Sequence, residues 1–185
     1  MLSKTKTIEA VQTMGDLFPD AHCELNHRNA FELLIATILS AQATDVGVNK
    51  VTPKLFERFP TPAHLAEASE EAVIECIQSL GLYRSKAKNI RLCAQQLMER
   101  FNGEVPCTRE ELVSLAGVGR KTANVVMSVA FNIPAFAVDT HVERISKRLQ
   151  ICRQKDTVLE VEETLCRKIP KELWSRAHHW MIFFG

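Results

Sequence analysis

Leu115-Ala116-Gly117-Val118-Gly119-Arg120-Lys121-Thr122-Ala123 is the stretch of this sequence richest in groups that could do chemistry. Two glycines one residue apart, between a short and a longer helical pattern, permit a tight hairpin with positive φ. The N–H groups of such a turn, and those opening the following helix, point the same way and suit a phosphate oxygen. Contacts of that kind hold a nucleic-acid backbone without reading its sequence. A plain helix–helix turn would use the same glycines. Arg120 and Lys121 stand where cations cost roughly 0.3–1 kcal/mol, at the positive end of the helix dipole. The same field favours a neutral amine, the form in which a lysine is a nucleophile. Phosphate binding is the other reading for both cations, and for Arg120 it is the preferred one.

An amine nucleophile needs a carboxylate within reach. A helix from Arg120 to Phe131 is about 16–18 Å long at 1.5 Å per residue, and Asn132 to Val138 can span about 23 Å if extended. That suffices to return Asp139 beside the start of the helix. Taken alone, Asp139 also reads as a helix N-cap that spends one oxygen on backbone N–H groups.

The elements around these residues all read as helices. Ile8, Val11 and Leu17 predict a first amphipathic helix that stops before Pro19. Asn29 to Glu32 is a capping box opening Phe31–Ala43, apolar on all sides and hence a buried central helix. Asp45 is expected to cap the next helix, with Pro53 kinking or splitting it. Thr61-Pro62 starts a short helix, and Ser69 caps another that ends at Gly81. Ser85 is expected to cap a long helix ending at Asn102-Gly103, and Thr108 to Glu111 forms a second capping box. Asp139 and Asp156 are expected to cap helices to about Leu149 and Lys168, and Pro170 begins the last, to Phe184. No stretch alternates as a strand would, so the class is all-α. An apolar last turn followed by Gly185 gives the expectation that the polypeptide continues past this point.

Composition excludes several classes. The N-terminus is polar, without the apolar core of a signal peptide, and no run approaches the roughly 18 apolar residues of a membrane span. The six cysteines are scattered with no C-x-x-C pair, so they read as reduced structural thiols of an intracellular protein. A net charge of +1 decides nothing about nucleic acid. Its distribution says more: Arg84, Lys86, Lys88 and Arg91 form a basic run, as do Arg144, Lys147, Arg148, Arg153 and Lys155, while acids gather elsewhere. That segregation suits a DNA-facing side, and solvated helix faces with i,i+4 pairs are the alternative.

Leu115 to Ala123, Val138-Asp139-Thr140-His141, Leu39 to Asp45 and His178-His179-Trp180 together resemble the endonuclease III family of helix-hairpin-helix DNA glycosylases. The likeness runs from about Leu25 to Gly185. It implies base-excision repair of damaged duplex DNA by a monomeric, cytoplasmic, nucleoid-associated bacterial enzyme that touches no membrane. The implied activity is that of a bifunctional glycosylase and AP lyase acting on oxidised or ring-damaged pyrimidines. Lys121 would attack the deoxyribose C1′ and form a Schiff base, Asp139 would assist, and beta-elimination would cut the strand 3′ to the site. The target nucleotide must first be flipped out of the stack.

By the same likeness Gln42 fills the vacated gap and Leu82 wedges the opposite strand. Asp45, Leu115, Gly117, Val118, Gly119, Arg120, Thr122, His141 and Arg144 are the further DNA contacts. The implied architecture is two helical lobes with a cleft for DNA and the flipped base between them. One spans 21–132 and carries the hairpin motif at about 109–131; the other joins 1–20 to 133–185. The family's [4Fe-4S] cluster is expected to use cysteines beyond Gly185, leaving none of it to residues 1–185. Gly81-Leu82-Tyr83-Arg84-Ser85-Lys86-Ala87 echoes Gly117 to Ala123, with Tyr83 replacing the second glycine, so the first loop is expected not to copy the phosphate-binding hairpin. A monofunctional glycosylase working through the aspartate and a water has no use for Lys121. A non-catalytic hairpin module has none for Asp139 or Gln42.

Overall fold

The computed structural model describes residues 1–185 and is helical throughout, with no strand. In chain order its helices are α1 (Lys4–Leu17), α2 (Ala30–Leu39), α3 (Asp45–Arg58), α4 (Pro62–Glu67), α5 (Glu70–Ile77) and α6 (Tyr83–Phe101), then α7 (Arg109–Val113), α8 (Arg120–Val125), α9 (Thr140–Arg148), α10 (Val158–Lys168) and α11 (Trp174–Phe184). The chain divides into two compact units, Glu24–Phe131 and Met1–Cys23 with Asn132–Gly185.

In the Glu24–Phe131 unit, α2 is the centre. Every residue from Phe31 to Leu39 is buried, and α3, α6 and α8 pack around it. Glu32 is buried there with its charge satisfied: its carboxylate accepts from the Arg28 backbone N–H at 2.8 Å and from the Arg28 guanidinium at 2.6 Å. Asn29 Oδ1 accepts from Glu32 N–H at 2.9 Å, so half of the expected capping box forms, and Glu32 reaches past Asn29 to Arg28. Pro53 lies inside α3 without splitting it. The helix expected to end near Phe131 changes pitch: α8 widens into a π-helical turn over Val126–Ala130.

In the other unit, Val11, Met14, Phe136, Val142, Val161, Leu165 and Met181 form the core. The face α1 buries is Thr7, Val11, Met14 and Gly15, whereas Leu17, expected to belong to it, is 60% exposed. Gly15 is where α1 meets α11: a Cβ there would lie 2.8 Å from Trp180 Cε2. Lys168 Nζ donates to Leu2 O at 2.6 Å and Ile151 O at 2.7 Å, tying the N-terminus down.

Several helix starts fall one to three residues from their expected places. Thr44 caps α3 and Asp45 is its first residue; Thr157 caps α10 while Asp156 accepts from Arg153 N–H at 2.8 Å. α5 ends at Ile77, short of Gly81. α6 begins at Tyr83 without any side-chain cap, so Ser85 lies inside it. A 3-10 turn, Lys171–Leu173, precedes α11.

Candidate functional site

The hairpin between α7 and α8 is built from both ends. Thr108 Oγ1 accepts from Glu111 N–H at 3.3 Å and donates to the Glu111 carboxylate at 2.8 Å, fixing the start of α7. Across the pair, Arg109 Nε donates to Oδ1 of the fully buried Asn124 at 2.9 Å. The turn closes through Leu115 N–H to Leu112 O at 3.1 Å and Val118 N–H to Leu115 O at 3.2 Å, and Gln96 Oε1 accepts from Ala116 N–H at 2.8 Å.

The two glycines have different reasons. Gly117 has φ +76, and a Cβ on it would lie 3.0 Å from Ile38 Cγ2 and 3.1 Å from Asn89 Cβ. Gly119 is extended, with φ −94 and ψ −178, and a Cβ there would meet nothing within 4 Å. Only Gly117 therefore needs the left-handed freedom that the sequence suggested for both. Gly119 caps α8 without a side chain, so the first-turn N–H groups of α8 face outward with no internal capping acceptor. Leu115 and Val118 are 3% and 6% exposed, so backbone, not side chain, is what they can offer a ligand. Arg120 is exposed, and Lys121 and Thr122 are half-buried. The Lys121 amine makes no hydrogen bond or ion pair.

A bulky residue at Gly119 should leave the fold intact and cover the approach to those N–H groups. Gly119→Val is expected to weaken binding to damaged and undamaged duplexes alike by about tenfold, the worth of one or two charge-assisted hydrogen bonds. Parallel titrations at low salt check this, and unchanged affinity for undamaged DNA would remove the hairpin from the interface.

Gln42 and Leu82 sit on two turns of the same unit, and both are exposed with left-handed backbone, φ 53 and φ 58. Such conformations are uncommon for residues other than glycine and cluster at functional positions. The turns are neighbours: a Cβ on Gly47, in the first turn of α3, would lie 3.7 Å from Leu80 Cδ2. Leu82 is 58% exposed, so core packing is not its role. Asp45 is half-buried at the start of α3.

In the other unit an extended segment leads into α9. Ala135 to Val138 are buried, and His178 Nδ1 lies 2.7 Å from Ala137 O. Asp139 is half-buried; its Oδ1 accepts from Val142 N–H at 2.8 Å, and no partner engages Oδ2. His178, noted in the sequence only as part of a motif, thus braces the strand-like segment that delivers Asp139. Its signal was a buried histidine opposite an extended chain, which sequence alone does not reveal. His141 and Arg144 are exposed on α9, with Arg144 Nη2 3.1 Å from His141 Nδ1. His179 is held below the usual histidine range by burial.

No group of three or more His, Cys, Asp or Glu side chains is placed to hold a metal ion. The six free cysteines do not converge, and burial pushes the Cys93 thiol up to about 12, keeping it protonated and inert. Residues 1–185 do not fit a [4Fe-4S] cluster, and no step below passes through one.

Residues 35–171 match the HhH-GPD superfamily of base excision DNA repair proteins. Endonuclease III of Bacillus subtilis (strain 168) is 58% identical over 181 residues, 97% of this chain and 83% of that protein. The chain belongs to the endonuclease III family. Endonuclease III of Escherichia coli (strain K12) is 47% identical over 184 residues, 100% of this chain and 87% of that protein. The structure of a trapped endonuclease III–DNA covalent intermediate aligns with a TM-score of 0.97 at 59% identity, covering 100% of this chain and 87% of that one. A thermostable thymine-DNA glycosylase, at 20% identity and a TM-score of 0.81, shares the fold. The expected all-helical glycosylase fold is the one observed. As a member of the endonuclease III family the protein is a base-excision DNA-repair enzyme, a DNA glycosylase and AP lyase. Its endonuclease III relatives named above are bacterial, and no helix is long and apolar enough to cross a membrane.

Proposed function

We propose that the protein removes oxidised or ring-damaged pyrimidines from duplex DNA with Lys121 as nucleophile and Asp139 as its carboxylate partner. The carrying observation is a half-buried lysine with an unengaged amine in the first turn of α8, directly behind an uncapped hairpin. The DNA-bound endonuclease III structures, one of them a trapped covalent intermediate, support the same reading.

The hairpin N–H groups, with Arg120 and Thr122, hold a backbone phosphate. Asp45, His141 and Arg144 add contacts along the duplex. With the damaged nucleotide flipped, Leu82 wedges the opposite strand and Gln42 fills the gap. The Lys121 lone pair attacks C1′ as the base departs with the glycosidic electrons. Opening of the sugar ring then leaves a protonated imine between C1′ and Nζ. Loss of a proton from C2′ expels the 3′ phosphate and breaks the strand. The Asp139 carboxylate takes up the amine proton and stabilises the positive charge that develops on the sugar. The protein acts as a cytoplasmic monomer at the nucleoid, with the family's iron–sulfur cluster held by cysteines outside residues 1–185.

Borohydride trapping on an abasic duplex tests this reading. A reduced protein–DNA adduct with strand cleavage is expected. A monofunctional glycosylase would leave the abasic strand intact, and a binding module would neither cut nor cross-link.

Leu82→Ala separates the wedge from the chemistry. The side chain is mostly exposed, so its loss costs little stability. Stopped-flow with a fluorescent base analogue should show slower capture of the flipped nucleotide, with the lyase step on a pre-formed abasic site less affected. Equal loss on both substrates would place Leu82 outside the flipping step.

A further inference from the structure

Lys86 is buried, 4% exposed, and its Nζ has no hydrogen-bond partner. Glu32, equally deep in the same unit, is fully engaged by Arg28, so this unit pairs its other buried charge. An unpartnered ammonium in such a place is costly, and burial holds it below the usual lysine range.

Lys86 is the fourth residue of α6, and a long helical side chain leans back toward its helix N-terminus. That aims the amine at the first turn of α6. There Leu82 occupies the cap position and makes no side-chain hydrogen bond, and the first helical bond is Lys86 N–H to Leu82 O at 3.0 Å. The N–H groups of Tyr83, Arg84 and Ser85 are left unspent. Three backbone donors, the positive end of a 19-residue helix and a buried ammonium therefore converge without an acceptor. A place built only from donors suits an anion.

Its surroundings say which anion. A Cβ on Gly81 would meet nothing within 4 Å, so the approach is open. Asn89, one turn along α6 from Lys86, is the residue against which Gly117 of the hairpin packs, at 3.1 Å from a Cβ built there. The turn thus stands next to the hairpin, with the exposed Leu82 at its rim. The echo between Gly81–Ala87 and Gly117–Ala123 extends to structure, since α6 and α8 both start without a side-chain cap. Tyr83 in place of the second glycine does not close the first turn.

We propose that the uncapped first turn of α6, with Lys86 beneath it, is a second phosphate site that grips the DNA backbone independently of the hairpin. The N–H groups of Tyr83 to Ser85 make the contact, and Lys86 supplies positive charge from one turn below. This rests on the reading of the protein as a hairpin DNA-repair enzyme.

The test combines Lys86→Met, which keeps length and removes charge, with duplexes carrying a single neutral methylphosphonate at each position around an abasic site. Thermal melting should show Lys86→Met at least as stable as wild type, because an unpaired buried charge is gone. Its Kd for the natural duplex should rise about tenfold and the salt slope should fall by about one. Wild type should lose affinity at two groups of methylphosphonate positions. Lys86→Met should lose its sensitivity at one group and Gly119→Val at the other. Ser85→Asp, which places a carboxylate in the same turn and strengthens the helix start, should reproduce the Lys86→Met pattern. Wild-type affinity, slope and methylphosphonate pattern in Lys86→Met would overturn the second site, as would a fall in melting temperature with uniform loss at every position. A wild-type protein indifferent to methylphosphonates everywhere would instead sink the hairpin reading and the second site together.

Discussion

A Lys121→Gln protein should bind an abasic duplex and leave it uncut. Arg120 and the outward N–H groups of α8 remain, so the hairpin's grip on the backbone is retained. Glutamine has a helix propensity close to that of lysine. Removing a cation from the first turn should, if anything, stabilise α8, by roughly 0.3–1 kcal/mol. Circular-dichroism melting should therefore show no loss of stability. The amine is a different matter, because no imine forms without it: the borohydride adduct and the strand nick should both fall to background. The size of that effect follows from removing the nucleophile itself and not a group that assists it. Mass spectrometry of the wild-type adduct completes the test. A cross-link mapped to Lys86 or Lys147, or undiminished trapping by Lys121→Gln, would end the role proposed for Lys121.

The hairpin was legible in the sequence because its parts are local. Gly117, the cap at Thr108 and the misplaced cations of α8 all act within a few residues, and each carries its own physical signature. Asp139 was legible as an N-cap for the same reason, and Val142 N–H confirms that part of its work. The helix starts were less so where two competent caps stand side by side. At Thr44-Asp45 and Asp156-Thr157 it is the threonine, in each case, whose extended backbone turns its oxygen onto the helix, and sequence does not rank the pair. The left-handed backbone of Gln42 and Leu82 is invisible in the sequence, since neither residue favours it locally. The widening after Val125 is set by packing against α2 and escapes any periodicity.

Lys86 shows what charge counting misses. Within Arg84, Lys86, Lys88 and Arg91 it reads as one cation of a basic run. Yet Lys86, Ala87, Ile90, Cys93, Ala94 and Leu97 form one helical stripe, and all are buried. The stripe was the signal. Arg91 also leaves the run, donating to Ala68 O at 2.7 Å and lying 3.7 Å from the Glu70 carboxylate. Lys147 pairs with Glu143 at 2.6 Å in the second run. What remains exposed is a smaller basic surface, which agrees with a net charge of only +1 and with a binding face made largely from backbone donors.

Asp139→Asn isolates charge from structure. Asparagine is as good an N-cap as aspartate, so its side-chain oxygen keeps the bond to Val142 N–H and α9 starts where it did. His178 still braces Ala137, so the buried segment before residue 139 is undisturbed. What disappears is the negative charge and the ability to take a proton. In the proposed mechanism both act on glycosidic-bond cleavage, where positive charge grows on the sugar and the amine must be free. Base excision should therefore fall by about 10²-fold or more, the usual worth of an acid–base group. The lyase step on a pre-formed abasic site lacks the glycosidic barrier and should fall less, with the Schiff base still trapped by borohydride. Single-turnover assays on thymine glycol and abasic duplexes, run side by side, give the two rates. If both fell equally with a lower melting temperature, Asp139 would be a cap and nothing more. If base excision were unchanged, the carboxylate partner of Lys121 would have to be sought elsewhere.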